Sequence, residues 1–466
     1  AWFLGENKPR DNILSDGWHL LKRRGITRAM RTVMDQLRWL LVAVFTLGAT
    51  ALLPAADRPN IVLIMADDVG CEPIGAYGGE RWKTPHIDAL AKSGMRFDYC
   101  FAMPVCHPTR STLLTGKYPF RLKSPWGSFP KSEEKHTLAQ VLKRAGYATA
   151  AAGKWQLCLM KNDLQQPARM GFDQWSVFGW HEGARFHEPY IYEDGRLRTD
   201  TKGKYGPDLY VDFLGDFMAK HAKGNTPFFA FYSMALAHDV TDDIPEQVPY
   251  VPGKDRWMDY GEMIESMDGM VGKLVKKIDQ LDLRDDTVIL FTGDNGTAQR
   301  SKLRHIEGRK YEYEQVYSIR NGKRVPGGKG TLLDIGTNVP LIASWPGNIQ
   351  AGSRGHELVD FSDWLPTLAR LARAKPTQPH DGVSFTSALL HTRRREARTF
   401  AFAEHRGGKA WVRTKQYKLY NDGRYFDIQA DPMEKQPLKN LNNRAATDRK
   451  LLEAALLKLN YPATKK

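Results

Sequence analysis

Residues 59–70 read Pro-Asn-Ile-Val-Leu-Ile-Met-Ala-Asp-Asp-Val-Gly. Ile61–Met65 is a short, unbroken apolar run, which suits a strand buried on both faces. The run ends on Asp67-Asp68, so the strand would deliver two carboxylates at its carboxyl end. Four further runs have the same texture: Tyr147–Ala152, Phe228–Tyr232, Val288–Phe291 and Val339–Ser344. Helix signals lie between them. Thr84 and Pro85 open one helix as N-cap and first-turn residue, and Gly94 closes it. The clearest runs from Tyr260 to Leu281, where Ile264, Met267, Val271, Leu274, Ile278 and Leu281 fall on one face. Alternating strands and helices predict an α/β fold with a mostly parallel central sheet flanked by helices. After Ala401 the pieces are short and strand-like: Phe402–Glu404, Trp411–Thr414, Lys418–Tyr420 and Tyr425–Ile428. Asn421-Asp422-Gly423 is a hairpin turn signal. A small C-terminal antiparallel sheet with a terminal helix over Leu451–Leu459 is expected. No internal repeat is visible.

The chain has 466 residues, 42% hydrophobic and 26% charged, which excludes a disordered polymer. A mean hydropathy of −0.49 and the lack of a long, purely apolar run exclude a polytopic membrane protein. Forty glycines and 26 prolines are too few for a fibrous chain, and four cysteines too few for a disulfide scaffold. Residues 1–56 read as an upstream segment and a secretory signal: Met30-Arg31, Arg38, an apolar run from Trp39 to Leu53, then Pro54-Ala55-Ala56. The expected division is 1–56, a catalytic α/β domain over 57–375 and a C-terminal subdomain over 376–466. The basic run Arg393–Arg395 falls in a solvated linker. Removing the first 56 residues takes away eight Lys/Arg and four Asp/Glu, so the net charge falls from +15 to +11. An exported protein, periplasmic or extracellular, is expected, with no stable membrane span once the signal is cut. Its basic balance favours anionic partners such as sulfated or phosphorylated polymers. No nucleic-acid motif is present.

The chemistry sits after the strands. The runs lead in turn to Asp67-Asp68, Lys154, His238 and Asp294-Asn295. Ligands of open parallel sheets bind at the carboxyl ends of strands, so these groups can converge. Asp67, Asp68, Asp294 and Asn295 form an all-oxygen set suited to a hard divalent cation, Ca²⁺ or Mg²⁺. A second cluster is Val105-Cys106-His107-Pro108-Thr109-Arg110. Pro108 suits the first turn of a helix ending near Gly116, with Cys106 just ahead of it. The helix start favours anions and is expected to lower the thiol's pKa. Arg110 supplies a fixed positive charge.

Cys106-x-Pro108-x-Arg110 followed by Leu113-Leu114-Thr115-Gly116 resembles the type I, formylglycine-dependent sulfatase family of the alkaline-phosphatase-like superfamily. The same resemblance holds for 59–70, Gly153-Lys154-Trp155, Phe291–Gly296, Gly327-Gly328-Lys329-Gly330-Thr331 and Tyr417–Pro432, in family order. It implies an alkaline-phosphatase-like fold and hydrolysis of a sulfate ester, of a sulfated carbohydrate or an aryl sulfate. It implies that a formylglycine-generating maturation enzyme oxidises Cys106 to Cα-formylglycine, whose hydrated aldehyde attacks sulfur. The cation would be held by Asp67, Asp68, Asp294, Asn295 and the residue at 106. Arg110 would steady the nucleophile, Lys154 and Lys329 would bind sulfate, and His238 would protonate the leaving oxygen.

Three positions depart from the family pattern. Gln156 stands where a histidine is usual; it donates hydrogen bonds but takes no proton near neutral pH. His107 replaces a small residue. Asp334-Ile335-Gly336-Thr337-Asn338 lacks a basic residue usually found near Lys329. Cys71, Cys100 and Cys158 allow one disulfide plus a free thiol, or three free thiols. Two other readings share this scaffold: a phosphodiester or phosphonate ester hydrolase, and a catalytically inactive binder of sulfated glycans.

Overall fold

Ile61–Met65 is the middle of strand β1 (Asn60–Ala66), and it is paired on both sides. The computed structural model describes residues 58–179, 182–224, 226–239, 259–305, 311–392 and 397–461. The expected signal segment and Arg393–Arg395 lie outside these residues. Expected strands follow as β2 (Ala148–Lys154), β4 (Phe228–Ser233) and β5 (Thr287–Gly293), and between β2 and β4 lies β3 (Gln174–Phe178), which the apolar runs did not announce. A polar hairpin comes next, β6 (Arg300–His305) with β7 (Tyr311–Gln315), and then β8 (Leu341–Ser344). The central sheet has ten strands. Its inner order is β8-β5-β1-β4-β2-β3, flanked by Met95–Phe97 and Ser353–Gly355 at one edge and by Tyr192–Glu193 and Arg196–Leu197 at the other. β5, β1, β4, β2 and β3 run parallel; β8 is antiparallel to β5.

Alternate side chains of β1 enter different cores. Ile61, Leu63 and Met65 pack with Leu113, Leu138 and Trp364; Val62, Ile64 and Ala66 pack with Ile87, Tyr210 and Met263. Burial on both faces is why the run is apolar without alternation, and each such side chain contributes about 1.5–3 kcal/mol. Helix α1 (Pro85–Ser93) has Thr84 at its N-cap, but the Thr84 hydroxyl accepts from Gly75 N (2.9 Å) instead of capping. Asp268 serves the α1 amides, accepting from His86 N (3.1 Å) and Ile87 N (2.8 Å). Helix α2 is Cys106–Thr115, closed by Gly116 in the left-handed region (φ 67°). Helix α3 (Tyr260–Gln280) begins with a capping box between Asp259 and Glu262, and it buries Ile264, Met267, Val271, Leu274 and Ile278 as expected.

The C-terminal strands β9 (Ala401–His405), β10 (Lys409–Arg413), β11 (Tyr417–Tyr420) and β12 (Tyr425–Asp427) form one antiparallel sheet in that order. Helix α4 (Asn443–Leu459) starts eight residues before the expected Leu451, because Asn442 caps it by accepting from Ala445 N (2.8 Å). This sheet shares a core with Phe101, Met103 and Tyr118. It also grips the turn 332–337. Trp411 Nε1 donates to Leu332 O (2.9 Å), and Asp334 is held by Arg413 (2.5 Å) and Lys418 (2.7 Å). All four cysteines are free thiols. Among the described residues no helix is long and apolar enough to cross a membrane.

Candidate active site

Four parallel strands deliver their following residues to one sheet edge. β1 ends at Asp67 and Asp68, β2 at Lys154, β4 at Ser233 and β5 at Asp294 and Asn295. Asp68 adopts a left-handed backbone (φ 61°), and its amide donates to Asp294 Oδ1 (3.2 Å). Asn295 Nδ2 donates to Asp68 Oδ1 (2.9 Å). Close backbone approach sets this edge: a Cβ at Gly153 (φ 97°) would lie 2.0 Å from Ser233 O. Across the edge, α2 presents Cys106 from its first residue. The thiol and one oxygen each of Asp67 and Asp294 lie within 4.8 Å of one another, all buried.

The positive groups interleave with the carboxylates. Arg110 donates to Asp294 Oδ2 from Nε (3.0 Å) and Nη2 (2.7 Å), and also to the Ser233 hydroxyl. Lys154 Nζ meets Asp67 Oδ2 at 2.5 Å, and Lys329 Nζ meets Asp68 Oδ2 at 2.5 Å. Lys329 arrives on a glycine loop threaded against the backbone: a Cβ at Gly327 would sit 1.8 Å from Ala298 O. His238 places Nε2 3.9 Å from Asp68 Oδ2, while Nδ1 is 3.0 Å from Asp239 O. Nδ1 also lies 3.4 Å from Arg185 Nη1, and Nε2 faces the cluster.

These charges set the protonation states. Burial alone would raise the Asp67 carboxyl, yet Lys154, His238, Arg110 and Lys329 hold it well below the carboxylate range. Asp294 is pushed up to about 6, by burial first and by the Asp67 charge second, against Arg110. Burial opposes the Lys329 charge, but Asp68, Cys106 and Asp67 together outweigh it and raise the ammonium. The Cys106 thiol is pushed up by burial; Lys154 lowers it, while Asp294 and Asp67 raise it. This corrects the expectation that the helix start would lower it. Cys106 is also the first residue of the helix and not the one before it.

Two buried oxygens, Asp67 Oδ1 and Asn295 Oδ1, have no hydrogen-bond partner. Buried polar atoms are rarely left so, and hard oxygens on residues of a carboxylate cluster fit a divalent cation. Gln156 is buried at φ 56°, with Oε1 also unpartnered, but it makes no hydrogen bond to the cluster. His107 turns away: its Nε2 donates to Ser128 O (2.8 Å), its ring lies 5.3 Å from Trp126, and burial pushes it down to about 4. In the stretch that lacks the basic residue, Asp334 pairs with Arg413 and Lys418 of the C-terminal sheet. Sequence reasoning missed Ser233 and Asp239, although Ser233 closes an expected strand and Asp239 follows His238.

The family profile described as Sulfatase matches residues 59–374. Arylsulfatase A of Bos taurus is 30% identical over 437 residues, covering 83% of this chain and 80% of the relative. N-acetylgalactosamine-6-sulfatase of Sus scrofa is 28% identical over 427 residues, covering 84% and 77%. Among solved structures, Ps i-CgsB in complex with k-i-k-neocarrahexaose superposes with a TM-score of 0.67 at 25% identity, over 86% of this chain and 92% of that one.

Proposed function

The chain belongs to the sulfatase family, and from that premise we propose that it hydrolyses sulfate esters of carbohydrates with the residue at 106 as nucleophile. The carrying observation is the placement of Cys106: buried at a helix start, within 4.8 Å of Asp67 and Asp294 oxygens and electrostatically coupled to Lys154 and Lys329. In this reading Cys106 is converted to Cα-formylglycine. That group would supply a hydrated aldehyde oxygen where the sulfur now stands. Asp67, Asp68, Asp294 and Asn295 would hold Ca²⁺ or Mg²⁺, which when bound adds positive charge against the sulfate oxygens.

The chain's own residues then divide the work. Lys154 and Lys329 neutralise the sulfate charge that repels an attacking oxygen. Arg110, clamped by Asp294 and Ser233, keeps the floor of the site rigid beneath residue 106. His238 carries a proton on Nε2 toward the departing ester oxygen, with Nδ1 anchored on Asp239. The S–O ester bond breaks, the alcohol leaves with that proton, and water replaces it overall. A carbohydrate substrate is supported by the N-acetylgalactosamine-6-sulfatase relative and by the oligosaccharide bound to the structural neighbour.

The test is mass spectrometry of the Cys106 peptide from protein exported by a host with a working maturation enzyme, together with turnover of an aryl sulfate and an aryl phosphodiester. An aldehyde at 106 and preferred sulfate release are expected. An unmodified thiol beside a modified control protein overturns the nucleophile, and preference for the phosphodiester overturns the substrate class.

A further inference from the structure

A cavity of ≈ 360 Å³ opens beside the catalytic cluster, lined by the carboxylates Asp68 and Asp239, by Lys329, and by Arg300, Lys302 and Tyr313 of the β6–β7 hairpin. Asp68 and Lys329 belong to both spaces, so whatever is attached to a sulfate held by Lys329 can extend beneath the hairpin. Arg300 and Lys302 are two residues apart on β6 and therefore share a face. Arg300 is exposed; its guanidinium lies 4.4 Å from the centre of the Tyr313 ring, and among the described residues it makes no ion pair. Lys302 Nζ sits 4.6 Å over the Tyr311 ring and 3.9 Å from Asp239 Oδ2, a carboxylate already committed to His238 Nδ1 at 3.0 Å. Arg300 is positioned by an aromatic face, which orients a charge without neutralising it, while Lys302 is held between an aromatic face and Asp239. Gln299 Nε2 donates to Lys329 O (2.7 Å), so the base of the hairpin is tied to the loop that carries the sulfate-binding lysine.

We infer that the hairpin carries a second anion subsite, in which Arg300 and Lys302 bind a sulfate or carboxylate on the sugar next to the one being desulfated. The inference rests on the sulfatase reading above and narrows its substrate to polyanionic glycan chains.

The test pairs Arg300→Ala/Lys302→Ala with the charge-conserving Arg300→Lys/Lys302→Arg. Three disaccharides are compared, each with one scissile sulfate and a neighbouring sugar that is sulfated, uronic or neutral; an aryl sulfate is the fourth substrate. The alanine pair should raise KM roughly 10- to 100-fold for one or both anionic disaccharides, the loss expected from charged hydrogen bonds. Turnover of the neutral disaccharide and the aryl sulfate should stay within twofold, and the conserving pair should recover most of the loss. Loss on only one anionic sugar identifies which anion the subsite takes. Equal loss on all four substrates, or loss on none, overturns the subsite. Affinity for the same disaccharides, measured by calorimetry in a Cys106→Ala background, repeats the comparison without catalysis. A chain that releases no sulfate but keeps this affinity difference refutes the sulfatase chemistry and leaves the subsite standing.

Discussion

Burial would raise the Asp67 carboxyl, and it is held well below the carboxylate range because Lys154, Arg110 and Lys329 face it. Asp294 is the sharper probe. Its carboxyl bridges Arg110 to the Asp68 amide, and with Asp67 it brackets Cys106. Asp294→Ala should abolish bound Ca²⁺ or Mg²⁺ as well as turnover; elemental analysis showing unchanged metal content would remove it from the ligand set. Cys106→Ala should lower turnover by roughly 10⁴-fold or more, as removal of a nucleophile does elsewhere, in an assay of sulfate release. At this scale the sequence was readable wherever a residue type follows directly from its task. Asp67, Asp68, Lys154, Asp294 and Asn295 all sit where strand ends place them. The state of the Cys106 thiol was not readable. A helix start is a local feature, but the burial and the two carboxylates that outweigh it come from strands far away in the chain.

Elements built from apolar runs were legible, and those built from polar residues were not. β1, β2, β4 and β5 were found because unbroken apolar runs this short suit strands buried on both faces and are too short for a buried helix. The β6–β7 hairpin escaped because Arg300–His305 and Tyr311–Gln315 are rich in polar residues, so hydrophobic periodicity carries no signal there. The early start of α4 escaped for a related reason: its first turns, Asn443–Thr447, bury only Ala445. Gly153 shows what the elements demand of a single position. Alanine there meets both a positive φ and the Ser233 carbonyl. The backbone strain alone costs about 1–2 kcal/mol, and the overlap adds to it. Gly153→Ala should therefore lower the denaturant midpoint by at least that equivalent and displace Lys154, with kcat falling alongside.

At the scale of the whole molecule, the C-terminal sheet is bound to the rest through charges that are out of water. Arg413 and Lys418 close on Asp334, and Lys418 continues to Glu434 (2.6 Å). Arg413→Ala leaves Asp334 to Lys418 alone, and denaturation curves should show a loss in unfolding free energy below the about 3–5 kcal/mol of a buried charge left with no partner. Glu404 makes the same junction sensitive to pH. Burial pushes its carboxyl up to about 7, although Phe120 N and Tyr461 hydrogen-bond to it. The folded chain then keeps a proton that the unfolded chain releases near 4.5. The stability this group lends is complete below that pH and is lost as pH rises through about 7. Glu404→Gln should flatten that slope when midpoints are compared between pH 4.5 and 7.5; an unchanged slope would assign the dependence to another group. None of this was legible, because each of these pairs joins residues far apart in sequence.

The grip of the C-terminal sheet on the turn 332–337 also bears on how shorter relatives should be judged. Every signature residue that marks the catalytic centre precedes Val339, so a gene product ending before Ala401 would still carry the complete set. It would lack Trp411, Arg413 and Lys418, and the loop presenting Lys329 would lose its backing. Such a truncated homologue would score as an intact enzyme by its motifs and be silent in an assay, so gene surveys that count the signatures alone will overestimate the active repertoire.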